Sequence, residues 1–352
     1  MRILCTGDEF IAPQLFVEAL RAELGDGHSY LTEASRWPSE PFSANDEISE
    51  FSGDEDRLVE LVEGVQLWLT HLSPVSARVV AAADRLRFVG VPRGGPVNVN
   101  LAAATAAGVS VAHLPGRNAQ AVAEYTIAAM ITGPRGLAHS ATQMRAGCWT
   151  GDLYRYDRTG FELAGADVGL IGLGQIGHRV ARLLRAFGAR VQAYDPYVDP
   201  DVAAETGAVL VDDLITAISD KHIVSMHARI TDETRGMLGA EQFASMRTGT
   251  FLVNSARGDL IDEPALIAAL QSGRLSGAAV DVFTPEPPTA DNPLRTMPNV
   301  FVTSHLAGSS RQVAERAARR IAAEAGRFVR GEPLLNPANP GVRVDYGGPR
   351  GR

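Results

Sequence analysis

The sequence predicts an α/β protein built on doubly wound parallel sheet, and three observations carry that expectation. Apolar runs of strand length alternate with helix-spaced segments from the first residues onward. One run, residues 168–172, passes straight into a glycine turn and then into an amphipathic stretch. In the second half, three apolar runs each end in polar residues, as parallel strands do where they open on a shared crevice.

Taken in order, residues 1–7 read as a short first strand. Residues 13–24 put Leu15, Phe16, Ala19 and Leu20 on one helical face, and Gly25 stops that helix. Residues 43–56 are acidic and polar, a solvated loop or helix start. Runs at 65–70 and 86–91 read as strands separated by a helix around 74–83. The second of them ends in Pro92-Arg93-Gly94-Gly95-Pro96, which suits either a plain turn or a pocket for an anion. Asn118 is expected to cap the apolar helix 119–131. From Ala166 the alternation repeats, with strands at 168–172, 190–194, near Val209, and at 222–226, 250–254, 278–282 and 300–303. A helix at 311–330 follows the completed sheet and is expected to return to the first domain, leaving 345–352 as a tail.

The 352 residues allow two domains of ordinary size. Hydrophobic residues at 45% and charged residues at 21% describe a globular chain, and no stretch approaches the roughly 18 apolar residues of a membrane span. The N-terminus lacks the long apolar core and cleavage site of a signal peptide, so a cytoplasmic location is expected. Cys5 and Cys148 have no partners at zinc-ligand spacing and cannot form a disulfide framework; both are expected to be buried small hydrophobes. A net charge of −8 with dispersed basic residues argues against a nucleic-acid face. Lys221 is the sole lysine and sits in a polar turn, a poor basis for Schiff-base or pyridoxal phosphate chemistry.

The glycine turn carries the first functional reading. Gly172 permits the tight turn, Gly174 lets backbone approach a pyrophosphate, and Gly177 lets the following helix, 175–187, pack closely on the sheet. That helix N-terminus then faces an anion. The next strand ends at Asp195, where a carboxylate accepts hydrogen bonds from ribose hydroxyls and repels a 2′-phosphate, which favours NAD over NADP. FAD and S-adenosylmethionine proteins share related turns, so the glycines alone leave the ligand open.

The chemistry lies in three runs: Asn254-Ser255-Ala256-Arg257-Gly258, Asp281-Val282-Phe283-Thr284-Pro285-Glu286-Pro287, and Thr303-Ser304-His305-Leu306-Ala307-Gly308. Arg257 offers a planar fork for a carboxylate, Glu286 can fix and charge an imidazole, and His305 can exchange a proton near neutral pH. Singly these read as a surface ion pair, a solvated carboxylate and a structural histidine. Together, beside a nicotinamide, they suffice for hydride transfer at a carbonyl.

The runs LVNSARGDLIDEPALIAALQSGRLSGAAVDVFTPEP, NPLRTMPNVFVTSHLAGSS and GLIGLGQIGHRVARLLRAFGARVQAYDP make the chain resemble the D-isomer-specific 2-hydroxyacid dehydrogenase family, from about Leu86 to about Pro337. The resemblance implies two Rossmann-like doubly wound domains. A flavodoxin-like substrate domain would comprise 1–117 and 307–341 and an NAD-binding Rossmann domain 118–306, with 342–352 as tail. It further implies that Arg257 holds the substrate carboxylate and polarises the carbonyl, that His305 is the acid/base, and that Glu286 raises the proton affinity of His305. Gly172, Gly174, Gln175, Ile176, Gly177, Asp195, His227, Ala256, Asp281 and Gly308 would meet the cofactor, and the backbone of Arg93, Gly94 and Gly95 the substrate; no metal is called for. The implied protein is a homodimer joined through its NAD-binding domain.

Among family members the match leans toward 3-phosphoglycerate dehydrogenase-like proteins, ahead of glyoxylate or hydroxypyruvate reductases and specialised reductases such as those of phosphonate-bearing keto acids. A substrate with a second anion needs a second cation, which Arg93, Arg117, Arg155 or Arg229 could supply. The 47 residues after His305 are expected to hold the returning helix but no separate regulatory domain. Some relatives are NAD-sensing corepressors; the intact Arg257, Glu286 and His305 favour an enzyme. Three departures from the family pattern stand out. The loop from Arg93 to Asn100 is two residues shorter than the usual RxGxGxDNVD, Arg229 stands where proline is common, and Ser304 replaces the proline before the histidine. Arg229 could add a cation near the ligands or point to solvent.

Overall fold

Among the residues described by this computed structural model, 1–37 and 42–342, twelve strands form two sheets in which every neighbouring pair is parallel. The expected tail lies outside the described residues from 343 onward. The chain divides into two units, Met1–Arg117 joined by the run from Ser310 onward, and Asn118–Ser309.

The first unit alternates β1 (Arg2–Gly7), α1 (Pro13–Leu24), β2 (Ser29–Ala34), α2 (Glu55–Leu61), β3 (Leu67–Thr70), α3 (Ala77–Ala82), β4 (Phe88–Val91), α4 (Leu101–Ala106) and β5 (Ser110–His113). Its sheet runs β2-β1-β3-β4-β5, so the winding reverses between β1 and β3. The helix starts are chemically marked: Asp54 accepts from the amides of Asp56 and Arg57 at the head of α2, and Ser76 accepts from Val79 at α3. The acidic stretch before α2 is loop up to that cap. Gly25, at φ 76°, ends α1 as its position suggested.

The second unit opens with α5 (Ala119–Thr132) and α6 (Leu137–Arg145). It continues through β6 (Asp167–Ile171), α7 (Gly177–Ala186), β7 (Arg190–Tyr194), α8 (Pro200–Thr206), β8 (Val209–Leu210), α9 (Leu214–Ile218) and β9 (Ile223–Met226). The chain then adds α10 (Ala240–Ser245), β10 (Thr250–Asn254), α11 (Glu263–Gln271), β11 (Leu275–Val280) and β12 (Val300–Val302). Its sheet order is β12-β11-β10-β9-β6-β7-β8. Central strands β9 and β10 are buried along their whole length, which explains why they read as unbroken apolar runs rather than alternating ones. The last helix, α12 (Arg311–Val329), belongs to the first unit, packs on α1, and buries Ala314, Ala317, Ala318, Ile321, Ala325 and Phe328 in a core shared with Phe16, Ala19 and Leu20 of α1.

Two expectations are corrected. Asn118 stands at the N-cap of α5 but its side chain makes no capping bond and lies instead against Gly308, where a Cβ would run into its Nδ2. Cys148 is exposed, because it follows α6, a helix with no buried residue; Cys5 is buried as expected. Lys221 follows the turn at Ser219 and Asp220 as expected, and it is buried there with its ammonium donating to the Ser219 carbonyl. Among the described residues no helix is long and apolar enough to cross a membrane.

Candidate active site

The glycine turn follows β6, and contacts around each glycine divide the labour. At Gly172, φ is 94° and a Cβ would meet the backbone of His227 and Ala228 at 2.7 Å; at Gly177 it would collide with the Gly172 carbonyl oxygen. Both therefore have to be glycine for the turn to close. A Cβ on Gly174 would meet nothing within 4 Å, so this middle position faces open space where a ligand can approach the backbone. A cavity of about 600 Å³ opens there, lined by Leu173, Gly174, Gln175, His178, Arg179 and Arg182 among others. Its two arginines and the start of α7 make it suited to a pyrophosphate.

Asp195, at the end of β7, accepts the Leu173 amide at 2.7 Å with one oxygen and the Tyr197 amide at 3.0 Å with the other. This ties the acidic residue to the turn itself and leaves lone pairs on both oxygens for hydroxyl donors. Gln175 is exposed beside the turn, while Ile176 packs partly into the core. His227 abuts Gly172; burial pushes it down to about 4, and Ser225 Oγ lies 3.0 Å from its Nε2. It is a neutral imidazole at physiological pH.

At the ends of β10, β11 and β12 the structure brings the other candidates together. His305 Nδ1 lies 2.8 Å from Glu286 Oε2, and the other Glu286 oxygen accepts the Phe283 amide at 2.8 Å. The Glu286 hydrogen bond raises His305 above the ordinary histidine value, against the opposing effects of burial and of the Arg257 charge. For Glu286, burial acts upward, but the His305 hydrogen bond and charge, the Phe283 amide and Arg257 together hold it below the usual carboxylate range. Arg257 thus acts electrostatically on both members of the pair. Its guanidinium is exposed, bonded at 2.6 Å to the Ala256 carbonyl, while Asn254 Nδ2 donates to the Arg257 carbonyl at 2.9 Å. Gly258 follows because a Cβ there would strike the Phe283 backbone, and its absence lets the arginine loop lie against the loop that carries Glu286.

Asp281 is completely buried and organises the histidine segment. Its carbonyl accepts the His305 amide at 2.8 Å, and its carboxylate accepts the amides of Leu306 at 2.7 Å and Ala307 at 2.9 Å and the Thr303 hydroxyl. Tyr125 on α5 extends the chain by donating its hydroxyl to Thr303 at 2.5 Å, and burial pushes that phenol up to about 12. Tyr125 escaped the sequence reading because it sits on an apolar helix where an aromatic ring looks like core.

In the first unit, Arg93 follows β4 and pairs with Glu50, its carbonyl accepts the Leu114 amide at 2.7 Å, and the Gly94 carbonyl lies 2.9 Å from His113 Nδ1. A Cβ on Gly94 would meet nothing within 4 Å. Arg155 pairs with Asp157, and Arg229 is exposed. Among the described residues no group of three or more His, Cys, Asp or Glu side chains could hold a metal ion.

Residues 127–307 match the model of the D-isomer specific 2-hydroxyacid dehydrogenase NAD-binding domain. A D-3-phosphoglycerate dehydrogenase from Archaeoglobus fulgidus is 37% identical over 266 residues, covering 75% of this chain and 49% of the relative. The putative 2-hydroxyacid dehydrogenase YoaD from Bacillus subtilis is 38% identical, covering 80% of this chain and 82% of the relative. A crystal structure of a Thermus thermophilus protein, 28% identical, superposes with a TM-score of 0.77 over 96% of this chain and 100% of its own. The chain spans about half the length of the 3-phosphoglycerate dehydrogenases it matches. The second unit is therefore the part that takes NAD, and the chain belongs to the D-isomer specific 2-hydroxyacid dehydrogenase family.

Proposed function

We propose that the protein is an NAD-dependent dehydrogenase that interconverts a small D-2-hydroxy acid and its 2-keto acid, with Arg257, Glu286 and His305 as its catalytic residues. The observation that carries this reading is the 2.8 Å contact between His305 and Glu286 under the charge of Arg257. The open face at Gly174 between two obligatory glycines fits a pyrophosphate, and Asp195 is tied to the same turn for the ribose. Gln175, Ile176, His227, Ala256, Asp281 and Gly308 complete the proposed cofactor contacts, with the backbone of Arg93, Gly94 and Gly95 on the substrate.

Arg257 binds the substrate carboxylate and draws electron density from the adjacent carbonyl. Because Nδ1 of His305 is engaged by Glu286, Nε2 is the atom that gives its proton to the carbonyl oxygen during reduction and recovers it during oxidation. Glu286 keeps the imidazole charged and oriented for that transfer. Bound NAD supplies or accepts the hydride.

The substrate of first choice is a 3-phosphoglycerate-like acid, supported by relatives of that name at 35–37% identity. Glyoxylate and hydroxypyruvate are the next. The working form is a homodimer joined through the second unit, supported by the solvent exposure of Trp149, Tyr154 and Tyr156 at 84%, 95% and 97%. NADH oxidation measured with a panel of 2-keto acids, 3-phosphohydroxypyruvate, hydroxypyruvate, glyoxylate and pyruvate among them, tests the reading. Turnover is expected, fastest with the phosphorylated acid; no turnover with any of them, alongside NAD-dependent association with another protein, would overturn it.

A further inference from the structure

The first unit carries a polar cluster of its own at the carboxyl edge of its sheet, where the strand order reverses between β1 and β3. In open parallel sheets, ligands bind in the crevice at such a reversal. Asp8 directly follows β1 and His71 directly follows β3; His71 Nδ1 lies 2.5 Å from Asp8 Oδ2, and both residues are buried. The second Asp8 oxygen accepts the amides of Phe10 and Ile11 at 2.8 and 2.9 Å. Its hydrogen bonds are thereby committed to His71 and two amides, and it reaches Arg117 only as a charge at longer range.

Two arginines enter the same cluster. Arg93 follows β4, with a side chain only 14% exposed, and Glu50 compensates it. Arg117 follows β5, its guanidinium lies 5.9 Å from the centre of the Phe10 ring, and its Nη1 is buried with no hydrogen-bond partner. Among the described residues no carboxylate stands within ion-pairing distance of Arg117. Burial, reinforced by the charge of Arg93 and only partly opposed by that of Asp8, pushes it down to about 10, which still leaves it protonated at neutral pH. A guanidinium cannot shed its charge to escape burial, and contact with an aromatic ring does not satisfy a buried N–H donor. What completes such a site is an oxyanion, for which the fork of Arg117 is shaped.

We propose that this crevice is an oxyanion-binding site in which Arg117 ligates the carboxylate or phosphate of a small organic acid. The oxyanion is either the far end of the substrate, an assignment that rests on the dehydrogenase reading above, or a separate small acid; the chemistry recognised is the same.

The test compares wild type, Arg117→Met and Arg117→Lys. Calorimetric titration with inorganic phosphate, in the presence of saturating NADH, is expected to show saturable binding to wild type that weakens about 10- to 100-fold in Arg117→Met and less in Arg117→Lys. In steady-state kinetics, the ratio of kcat/KM for 3-phosphohydroxypyruvate to that for hydroxypyruvate is expected to fall about 10- to 100-fold in Arg117→Met if the oxyanion is the substrate's own, with phosphate competing against the phosphorylated acid. Loss of phosphate binding with an unchanged ratio assigns the site to a separate acid. Phosphate binding and ratio both unchanged would overturn the proposal, even if the enzyme turns over 2-keto acids. Conversely, loss of phosphate binding in an inactive protein would sustain the site while removing the dehydrogenase reading. Should Arg117→Met fail to fold, as judged by its melting curve, the Arg117→Lys arm decides: phosphate affinity equal to wild type refutes the site.

Discussion

His305 and Glu286 meet through a single nitrogen. Nδ1 of the imidazole stands 2.8 Å from the carboxylate, which separates the orienting contact from the reacting one and leaves Nε2 as the only ring atom for proton transfer. Asparagine is close in size and hydrogen-bonding capacity but cannot donate an acidic proton. His305→Asn is therefore expected to slow the chemical step by about 10² or more. Single-turnover NADH oxidation checks this; a wild-type rate would remove His305 from the proton-transfer role.

The same contact predicts a pH dependence. On the proposed mechanism reduction needs protonated His305, whose proton affinity Glu286 raises, so reductive kcat/KM is expected to hold above the ordinary histidine range and to fall only as pH rises through the raised value. Glu286→Gln removes the largest cause of that rise, and the alkaline limb of the profile is expected to move to lower pH, toward or below the ordinary histidine value. A limb that stays in place would mean that another group sets it.

The glycine turn separates a ligand-facing position from a structural one. Gly174→Val is expected to weaken NADH binding about tenfold or more while leaving the melting temperature near wild type, since the new side chain occupies the space the cofactor needs. Gly177→Val drives a side chain into the Gly172 carbonyl and is expected to cost about 2 kcal/mol or more in stability. Fluorescence titration and thermal melts on the two variants distinguish these outcomes, and equal stability losses would contradict the division.

Exposed aromatic side chains in the 149–156 segment predict self-association. Sedimentation is expected to give a dimer for wild type and a shift toward monomer when Trp149 and Tyr156 are both changed to Glu, because charge introduced at an apolar contact opposes burial. A dimer that withstands both changes would place the interface elsewhere.

Much of the second unit was legible because its signals are local. The β6 run, Gly172, Gly174, Gly177 and Asp195 lie within one strand-turn-helix-strand passage, and β7 and β10 have the expected bounds. What escaped was decided at a distance. β2 and β5 are mixed in polarity, and they become strands through pairing with β1 and β4. β11 ends at Val280 rather than at 282, where Asp281 turns its carbonyl to the His305 amide. The Asp8–His71 pair joins residues 63 positions apart, and neither lies in a recognisable motif. The two become neighbours only through the β1–β3 pairing.

The buried Asp281 carboxylate also bears on the unusual Ser304. His305 holds a left-handed backbone at φ 55°, a conformation that few residues other than glycine adopt without outside support. That support comes from across the sheet: the carbonyl and carboxylate of Asp281 take the amides of His305, Leu306 and Ala307. A pyrrolidine ring at position 304 is thus dispensable to the pose of the imidazole. The pose of the proposed acid/base therefore depends on the Asp281 side chain more than on the residue at 304.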